Sequence, residues 1–233
     1  MEDTKRQVAP PYLLRSERTR EHTRIKDIYK RVNYGELLNP RTATILARYL
    51  PQGGSVLDLG SSSGRIFPIL ESIGIQETHG ADIADYLSHG RPTGSFKVFD
   101  FSTDRFPYEN ASFDALTSIE VIEHLENPYH FLRECARIVK PGGILILSTP
   151  NPDHLFNKIS FLLRGRFYRF LDGNDHIMLF AHYLLSKGAE KYFELIAREY
   201  MFGEFPYRFF ARCTYPENKL FGRTAFYMLK KRD

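Results

Sequence analysis

The chain has 233 residues, of which 42% are hydrophobic, so it is long enough to bury the core of one larger domain. Its 32 lysines and arginines against 28 acidic residues give a net charge of +4, which does not indicate a nucleic-acid-binding protein. The two cysteines lie far apart and lack metal-ligand spacing, so we expect neither a disulfide framework nor a bound metal.

The N-terminal residues lack the apolar core of a signal peptide. The longest apolar runs, such as residues 144–147, are far shorter than the roughly 18 residues that suggest a membrane span, and we expect a cytoplasmic protein. Residues 1–35 are rich in lysine and arginine, and Pro10 and Pro11 block regular structure there. We therefore predict a basic extension at 1–35 and one domain at 36–233.

Short apolar runs then alternate with helical patterns. The predicted strands are 55–59, 78–83, 96–99, 113–119 and 144–148. The predicted helices are one from Asn39-Pro40 to Pro51, one at 64–73, and one that starts at Asn127-Pro128 and is stopped by residues 140–143. This alternation predicts an α/β fold with a mostly parallel sheet and helices on both faces.

The last third of the chain departs from this rhythm. Residues 150–180 form a longer segment that is both aromatic and basic. Residues 183–197 then have the apolar spacing of a helix, and aromatic-rich strand candidates follow at 200–207 and 224–229.

A turn of small residues follows the first predicted strand and reads Gly60-x-x-x-Gly64, with Ser62 between the glycines. It lets the backbone approach a ligand and opens a helix whose first amide groups are free to donate. The turn lacks the G-x-G-x-x-G spacing of dinucleotide sites, and Asp58 would attract an ammonium group and repel a pyrophosphate. It therefore favours an amino-acid head and disfavours a nicotinamide oxidoreductase. A purely structural turn is the alternative.

Carboxylates also follow the next two strands. Asp82, with Ile83 beside it, ends the second strand about 20 residues beyond the glycines, where a carboxylate accepts ribose hydroxyls. Asp100, after the third strand, offers an acceptor for an exocyclic amine, and Phe101 offers an apolar ring for a flat base. The alternatives are a solvated turn for Asp82 and a helix cap for Asp100.

Five segments resemble, in order and spacing, the motifs of class I S-adenosylmethionine-dependent methyltransferases: SVLDLGSSSG, GADI, FKVFDF, FPYENASFDALTSIEVIEHLENP and FLRECARIVKPGGILILSTPN. The resemblance is dense over residues 55–151. Its E-V-I-E-H-L and S-T-P-N parts are most similar to the ubiquinone-biosynthesis O-methyltransferase-like branch. It implies S-adenosylmethionine as cofactor and a Rossmann-like, seven-stranded, mostly parallel sheet with an antiparallel last strand.

The resemblance also assigns roles to the strand ends. It implies these cofactor contacts: Asp58, Gly60 and Gly64 with the methionine part, Asp82 and Ile83 with the ribose, Asp100 and Phe101 with the adenine, and Ile119 and Glu120 beside the sulfonium. Ser62 stands where relatives usually have glycine. A serine fits there at modest strain only if its backbone angles are ordinary.

Methyl transfer from a sulfonium is a direct displacement, so the enzyme mainly has to hold the acceptor in line with it in a dry pocket. A base is optional, but it helps a hydroxyl acceptor. Glu120 and His124, four residues apart, would share one side of the pocket if the chain turns helical there. His176 lies in a stretch that resembles one approaching the acceptor in relatives, and it is the second candidate base. The alternative is that all three are structural.

The sequence favours a small-molecule acceptor with an apolar or anionic part, methylated on oxygen or nitrogen. Residues 155–171 predict a lid over it, because apolar side chains at helical spacing are followed by Arg164, Arg166 and Arg169. The lid interpretation includes contact with a membrane surface, and a helix packed on the domain is the alternative.

Two other functions stay open at this point. The basic extension and the lid arginines agree with an RNA or protein methyltransferase of the same fold. The other alternative is a non-catalytic subunit that binds S-adenosylmethionine and activates a partner. Only Ser62 supports this alternative. The sequence indicates neither the identity of the acceptor nor the oligomeric state.

Overall fold

The computed structural model describes residues 40–168, 170, 175–203 and 217–233. Several predictions concern residues outside these ranges. They are the basic extension at 1–35, Arg169 of the lid, and the second half of the strand predicted at 200–207.

The described residues form one seven-stranded sheet with the order β3-β2-β1-β4-β5-β7-β6. Its strands are β1 (Ser55–Leu59), β2 (Glu77–Asp82), β3 (Phe96–Val98), β4 (Phe113–Ile119), β5 (Val139–Pro150), β6 (Phe193–Gly203) and β7 (Gly222–Lys231). Strands β1 to β5 pair in parallel, while β7 is antiparallel to both of its neighbours. The predicted α/β fold with an antiparallel last strand is confirmed.

The helices are α1 (Pro40–Tyr49), α2 (Ile66–Ser72), α3 (Pro128–Ile138), α4 (Leu155–Arg164) and α5 (His182–Ala189), with a short 3₁₀ helix at Ile122–His124. None of the helices within the described ranges is both long and apolar enough to cross a membrane.

The sheet buries both faces, because successive side chains of a strand point to opposite sides. Val56 of β1 belongs to a core cluster with Ile45 of α1 and Phe67 of α2. The next residue, Leu57, belongs to a second cluster with Phe131 of α3 and Leu185 of α5. Helices therefore cover both faces, as predicted.

Helix α3 begins where the sequence predicted. The side chain of Asn127 accepts a hydrogen bond from the backbone N–H of His130 at 3.0 Å, and Pro128 occupies the first turn. The helix ends at Ile138, and the residues expected to stop it, 140–143, lie inside strand β5. Strand β5 is therefore longer than the predicted 144–148.

The helix predicted at 183–197 is wrong in its second half. Helix α5 ends at Ala189, and β6 begins at Phe193. Residues 193–203 pair with β7 over most of their length, and Phe193 and Met201 are buried. These backbone ladder hydrogen bonds and this burial outweigh the helical spacing of the apolar residues.

The parallel pairing brings the strand ends of interest to one edge of the sheet. Asp58 in β1 lies opposite Thr117 in β4, and Leu59 lies opposite Ala81 in β2. Side chains that follow β1, β2 and β4 are therefore neighbours in space, at the edge where open α/β sheets bind ligands.

Candidate functional site

The turn after β1 is enclosed on two sides. Gly60 has a φ of 88°, and a Cβ there would lie 2.3 Å from Cγ2 of Val121, which follows β4. Gly64 has a φ of 82°, and a Cβ there would lie 2.0 Å from the carbonyl oxygen of Gly90. Both positions therefore require glycine for their backbone angles and for the close approach of other segments.

Ser62 does not have ordinary backbone angles. Its φ is 48°, in the left-handed region, which costs a residue other than glycine about 1–3 kcal/mol. Its N–H donates to Oδ2 of Asp82 at 2.7 Å. The serine thus adopts the conformation that the glycine of relatives would adopt without strain.

Asp58 is buried, with 2% of its surface exposed. Its Oδ1 accepts a hydrogen bond from the hydroxyl of Thr117 at 2.6 Å. Burial raises the pKa of Asp58 to about 6, although the hydrogen bond from Thr117 opposes the shift. Thr117 could not be predicted from the sequence, because only the register between β1 and β4 places it beside Asp58.

Asp82 is also buried, and each of its carboxylate oxygens accepts one backbone N–H. Ser62 donates to Oδ2 and Ile83 donates to Oδ1, both at 2.7 Å. Burial raises the pKa of Asp82 to about 7, and the charge of Asp58 adds to the shift. In this structure, Ile83 thus contributes its backbone N–H to the carboxylate.

This pair of acids fits S-adenosylmethionine. Neither Asp58 nor Asp82 forms a salt bridge within the described part of the chain, and both have raised pKa values. A ligand that brings an ammonium group and hydroxyl donors stabilises their charged forms, whereas a diphosphate would be repelled. The two acceptor carboxylates match the ammonium of the amino-acid head and the ribose hydroxyls of that cofactor.

The residues after β3 serve the fold in this structure. Oδ1 of Asp100 accepts from the N–H of Ser102 at 2.8 Å within a turn, and no helix begins there, so Asp100 is not the helix cap given as its alternative. The ring of Phe101 is buried and lies within about 6 Å of three other aromatic rings, those of Phe99, Phe106 and Phe131. Contact of Asp100 and Phe101 with the adenine stays a prediction.

Glu120 follows β4 with a φ of 55°, a second left-handed residue at this edge. Its N–H donates to the hydroxyl oxygen of Ser148 at 3.1 Å, and that hydroxyl donates to its Oε1 at 3.2 Å. Ser148 lies opposite Ile119 in the pairing of β4 with β5. Unusual backbone conformations cluster at functional sites, so Ser62 and Glu120 both mark this edge as one.

The expected helical relation between Glu120 and His124 is not present. Only residues 122–124 form a 3₁₀ helix, and the left-handed Glu120 lies outside it, so the two side chains do not share a helix face. His124 instead lies beside His176, with ring centroids 4.8 Å apart. The structure thus brings together the two candidate bases, which are 52 positions apart in the sequence.

The contacts and burial of His124 determine which of its ring nitrogens carries a proton. Its Nδ1 lies 2.8 Å from the carbonyl oxygen of Asp175. Burial lowers the pKa of His124, and the hydrogen bond to Asp175 only partly opposes this. Because a carbonyl only accepts, Nδ1 carries the proton, and Nε2 of the neutral ring has a lone pair that can take one.

Three residues at this edge could together hold a metal ion, so the expectation of no bound metal stays a prediction. Ligand atoms of Glu123, His124 and His176 all lie within 4.8 Å of one another. Imidazole nitrogens with a carboxylate suit divalent transition metals. The cysteine and histidine spacing in the sequence could not reveal this group, because His176 joins it only through the fold.

The lid segment reaches these histidines through aromatic contacts. Phe161 of α4 stacks on Phe167, with ring centroids 4.8 Å apart. Phe167 contacts Phe170 at 6.3 Å, and Phe170 contacts His176 at 5.3 Å. The predicted lid and the candidate base are therefore joined by one row of rings.

Most of α4 does not pack on the domain. The apolar side chains predicted to form one face include Leu162 and Leu163, which are 84% and 74% exposed. The buried residue of this helix is instead the polar Asn157. The helix is held at its start, where the N–H of Leu155 donates to the carbonyl of Leu220 at 2.8 Å. This arrangement disfavours the alternative of a helix packed on the core.

A protein-family model described as a methyltransferase domain matches residues 31–198 of the chain. In sequence, the chain is 37% identical over 124 residues to a ubiquinone biosynthesis O-methyltransferase of Xanthomonas axonopodis pv. citri. This match covers 49% of the chain and 51% of that protein. The chain thus spans about half the length of the curated relatives it matches.

Solved structures give the same fold at low identity. An S-adenosylmethionine-dependent methyltransferase from Thermotoga maritima superposes with a TM-score of 0.61 at 16% identity, covering 92% of this chain and 96% of that one. A chain from the complex of the Haloferax volcanii Trm112 methyltransferase activator with a methyltransferase gives a TM-score of 0.59 at 19% identity, covering 83% and 88%. At these identities the likeness shows the fold alone.

Proposed function

The chain belongs to the class I S-adenosylmethionine-dependent methyltransferases, and from this premise we propose that it methylates an oxygen, or a nitrogen, of a small acceptor with an apolar or anionic part. The observation that carries this proposal is the neutral His124, whose Nδ1 is held by the carbonyl of Asp175 and whose ring lies beside that of His176. The relatives described as O-methyltransferases support oxygen as the first choice.

Different residues of this chain bind the cofactor, border the acceptor and take its proton. Asp58 and Asp82 bind the amino-acid head and the ribose of S-adenosylmethionine, whose sulfonium supplies an electrophilic methyl group. Glu120 and Ile119 border the acceptor side. His124 takes the hydroxyl proton of the acceptor at Nε2, and the proton on Nδ1 stays with the carbonyl of Asp175.

The exposed apolar side chains of α4 support an acceptor with an apolar part. A closing lid would bring them over the site and exclude water from it, which strengthens the polar interactions inside. The row of rings from Phe161 to His176 supports a direct mechanical link between this lid and the base.

Ser62 supports a second candidate, a non-catalytic subunit that binds the cofactor weakly and acts through a partner. Its left-handed φ of 48° places strain in the turn that would hold the methionine part. A solved neighbour that contains a methyltransferase activator is consistent with partnership in this fold.

One experiment separates these functions. The full chain is incubated with methyl-labelled S-adenosylmethionine and a panel of phenols, catechols, carboxylic acids and amines, and methylated product is identified by mass spectrometry. Methylation of a phenol or catechol that is lost in His124→Ala supports the proposal. Cofactor binding by calorimetry without turnover on any acceptor supports the non-catalytic candidate instead.

A further inference from the structure

A cavity of about 960 Å³ lies between α4, α5 and strand β6. Its described lining includes Phe161 and Leu162 of α4, Leu179, and Arg198 of β6. None of the residues placed above at the cofactor site or at the base lines it. The cavity is therefore a second concave site, and its volume is in the range that holds a small molecule.

The lining of this cavity carries more positive than negative charge. Lys158 and Lys219 each place Nζ 3.1 Å from a different oxygen of Asp153. Arg198 is a third cation of the lining, with its guanidinium 5.6 Å from the centre of the Tyr200 ring. Three cations and one carboxylate thus line the cavity, and the surplus positive charge attracts an anion.

His182 lies beside that carboxylate without adding charge. Its Nε2 lies 3.2 Å from Oδ2 of Asp153, and its Nδ1 pairs with the hydroxyl of Tyr227. Burial lowers the pKa of His182 to about 4, and the nearby Arg198 adds to this shift. A neutral ring donates from Nε2 to Oδ1 of Asn151 at 3.2 Å and accepts at Nδ1 from Tyr227, so the contact with Asp153 is not an ion pair.

Another part of the lining is apolar and open to solvent. Phe161, Leu162 and Leu179 line the cavity, and all three are exposed. Large apolar side chains that border a cavity together with cations match a ligand with an anionic end and an apolar body.

We propose that this cavity is a binding site for a small amphipathic anion. Its carboxylate, sulfate or phosphate end lies against Lys158, Arg198 and Lys219, and its apolar body lies against Phe161 and Leu162. Phe161 and Leu162 also belong to the lid of the proposed function, whereas the three cations have no part in the proposed methyl transfer, so anion binding can be tested without it.

The test is a titration of the isotopically labelled full chain with sodium octanoate, followed by NMR amide shifts. Octanol and octyltrimethylammonium are the matched probes of the same chain length. Octanoate should bind at least tenfold more tightly than either and should shift residues 158–162, 182–186 and 198. Equal binding of the three probes, or shifts confined to other regions, would overturn the proposal.

Variants locate the two ends of the ligand. Arg198→Gln and Lys219→Gln should each weaken octanoate binding about tenfold through loss of a charge-assisted hydrogen bond. Lys187→Gln, an exposed lysine of α5 outside the cavity, should leave it unchanged. Leu162→Ser should weaken the binding of octanoate several-fold but leave the binding of acetate unchanged. Because Leu162 is highly exposed, this substitution should not disturb folding.

The titration is repeated with saturating S-adenosylhomocysteine. Unchanged octanoate shifts support a separate site. Displacement of octanoate would place the anion in the cofactor site and overturn the proposal. If S-adenosylhomocysteine does not bind at all, the cofactor assignment is contradicted. The anion site is then judged by the octanoate titration without S-adenosylhomocysteine.

Discussion

The backbone N–H of Ser62 donates to Oδ2 of Asp82 across 2.7 Å, so the turn after β1 is tied directly to the end of β2. This bond joins a residue in a strained conformation to a carboxylate with a raised pKa. The geometry of the turn and the charge state of Asp82 are therefore coupled, and both can be tested by substitution.

Ser62→Gly should stabilise the protein. It removes the cost of a left-handed serine while keeping the N–H that donates to Asp82, and the greater freedom of glycine in the unfolded chain offsets part of the gain. We expect the free energy of unfolding to rise by about 0.5–1 kcal/mol in urea titrations. Ser63→Gly, at a residue without a positive φ, is the control and should destabilise the protein. A lower stability for Ser62→Gly would show that the serine is not strained.

Asp82 should make the free protein less stable as pH rises. Its pKa is about 7 in the folded state, above its ordinary value of 3.8, so the folded state binds the extra proton. The associated stability is present below about pH 4 and is lost as pH rises to 7. Asp82→Asn should reduce this slope and leave only the part due to the raised pKa of Asp58, which urea titrations between pH 4 and 8 measure. An identical slope in wild type and variant would contradict the raised pKa.

Cofactor binding should show the opposite dependence on pH. The ammonium group and ribose hydroxyls of S-adenosylhomocysteine favour charged Asp58 and Asp82, so affinity should rise between about pH 5.5 and 7.5 with release of protons. Calorimetry in two buffers of different ionisation heat measures that release. Asp82→Asn should weaken binding by about 1–3 kcal/mol and flatten the pH dependence. Asp100→Asn is the control and should neither weaken binding nor flatten its pH dependence.

The residues around the glycine turn could be predicted because their signals are local in sequence. Asp58, Gly60, Gly64 and Asp82 stand at fixed positions after short apolar runs, and parallel pairing brings such positions to one edge. The strain of Ser62 could not be predicted, because its φ depends on how the whole turn closes on Asp82.

Other features depend on contacts distant in sequence. Residues 193–197 have the spacing of a helix, and only the pairing with β7 makes them a strand. The pairing of His124 with His176 requires the backbone carbonyl of Glu123 to accept from Ile177 and Met178. The anionic-ligand cavity is likewise built from α4, α5, β6 and Lys219, which no local pattern connects.

The segment 155–168 should exchange its amide hydrogens faster than the strands. Helix α4 exposes most of its apolar side chains and is held mainly at Leu155 and Asn157, so its local stability is low. Hydrogen–deuterium exchange should show protection that falls from Asn157 towards Arg164, and high protection in β1 and β4. Protection equal to that of these strands in the free protein would make α4 part of the core rather than a lid.

His124→Ala should lower turnover by roughly 10²–10⁴-fold and leave the affinity for S-adenosylhomocysteine nearly unchanged, because the ring acts on the acceptor and not on the cofactor. His176→Ala is the matched comparison, since its ring contacts that of His124 at 4.8 Å. Burial lowers the pKa of His124 below the ordinary 6.5, so the neutral base persists to lower pH. The pH–rate profile should therefore rise through a pKa below 6.5, and only the variant that lacks the base should lose this limb. If both variants keep wild-type turnover and the same profile, neither histidine is the base, and the enzyme acts by positioning the acceptor alone.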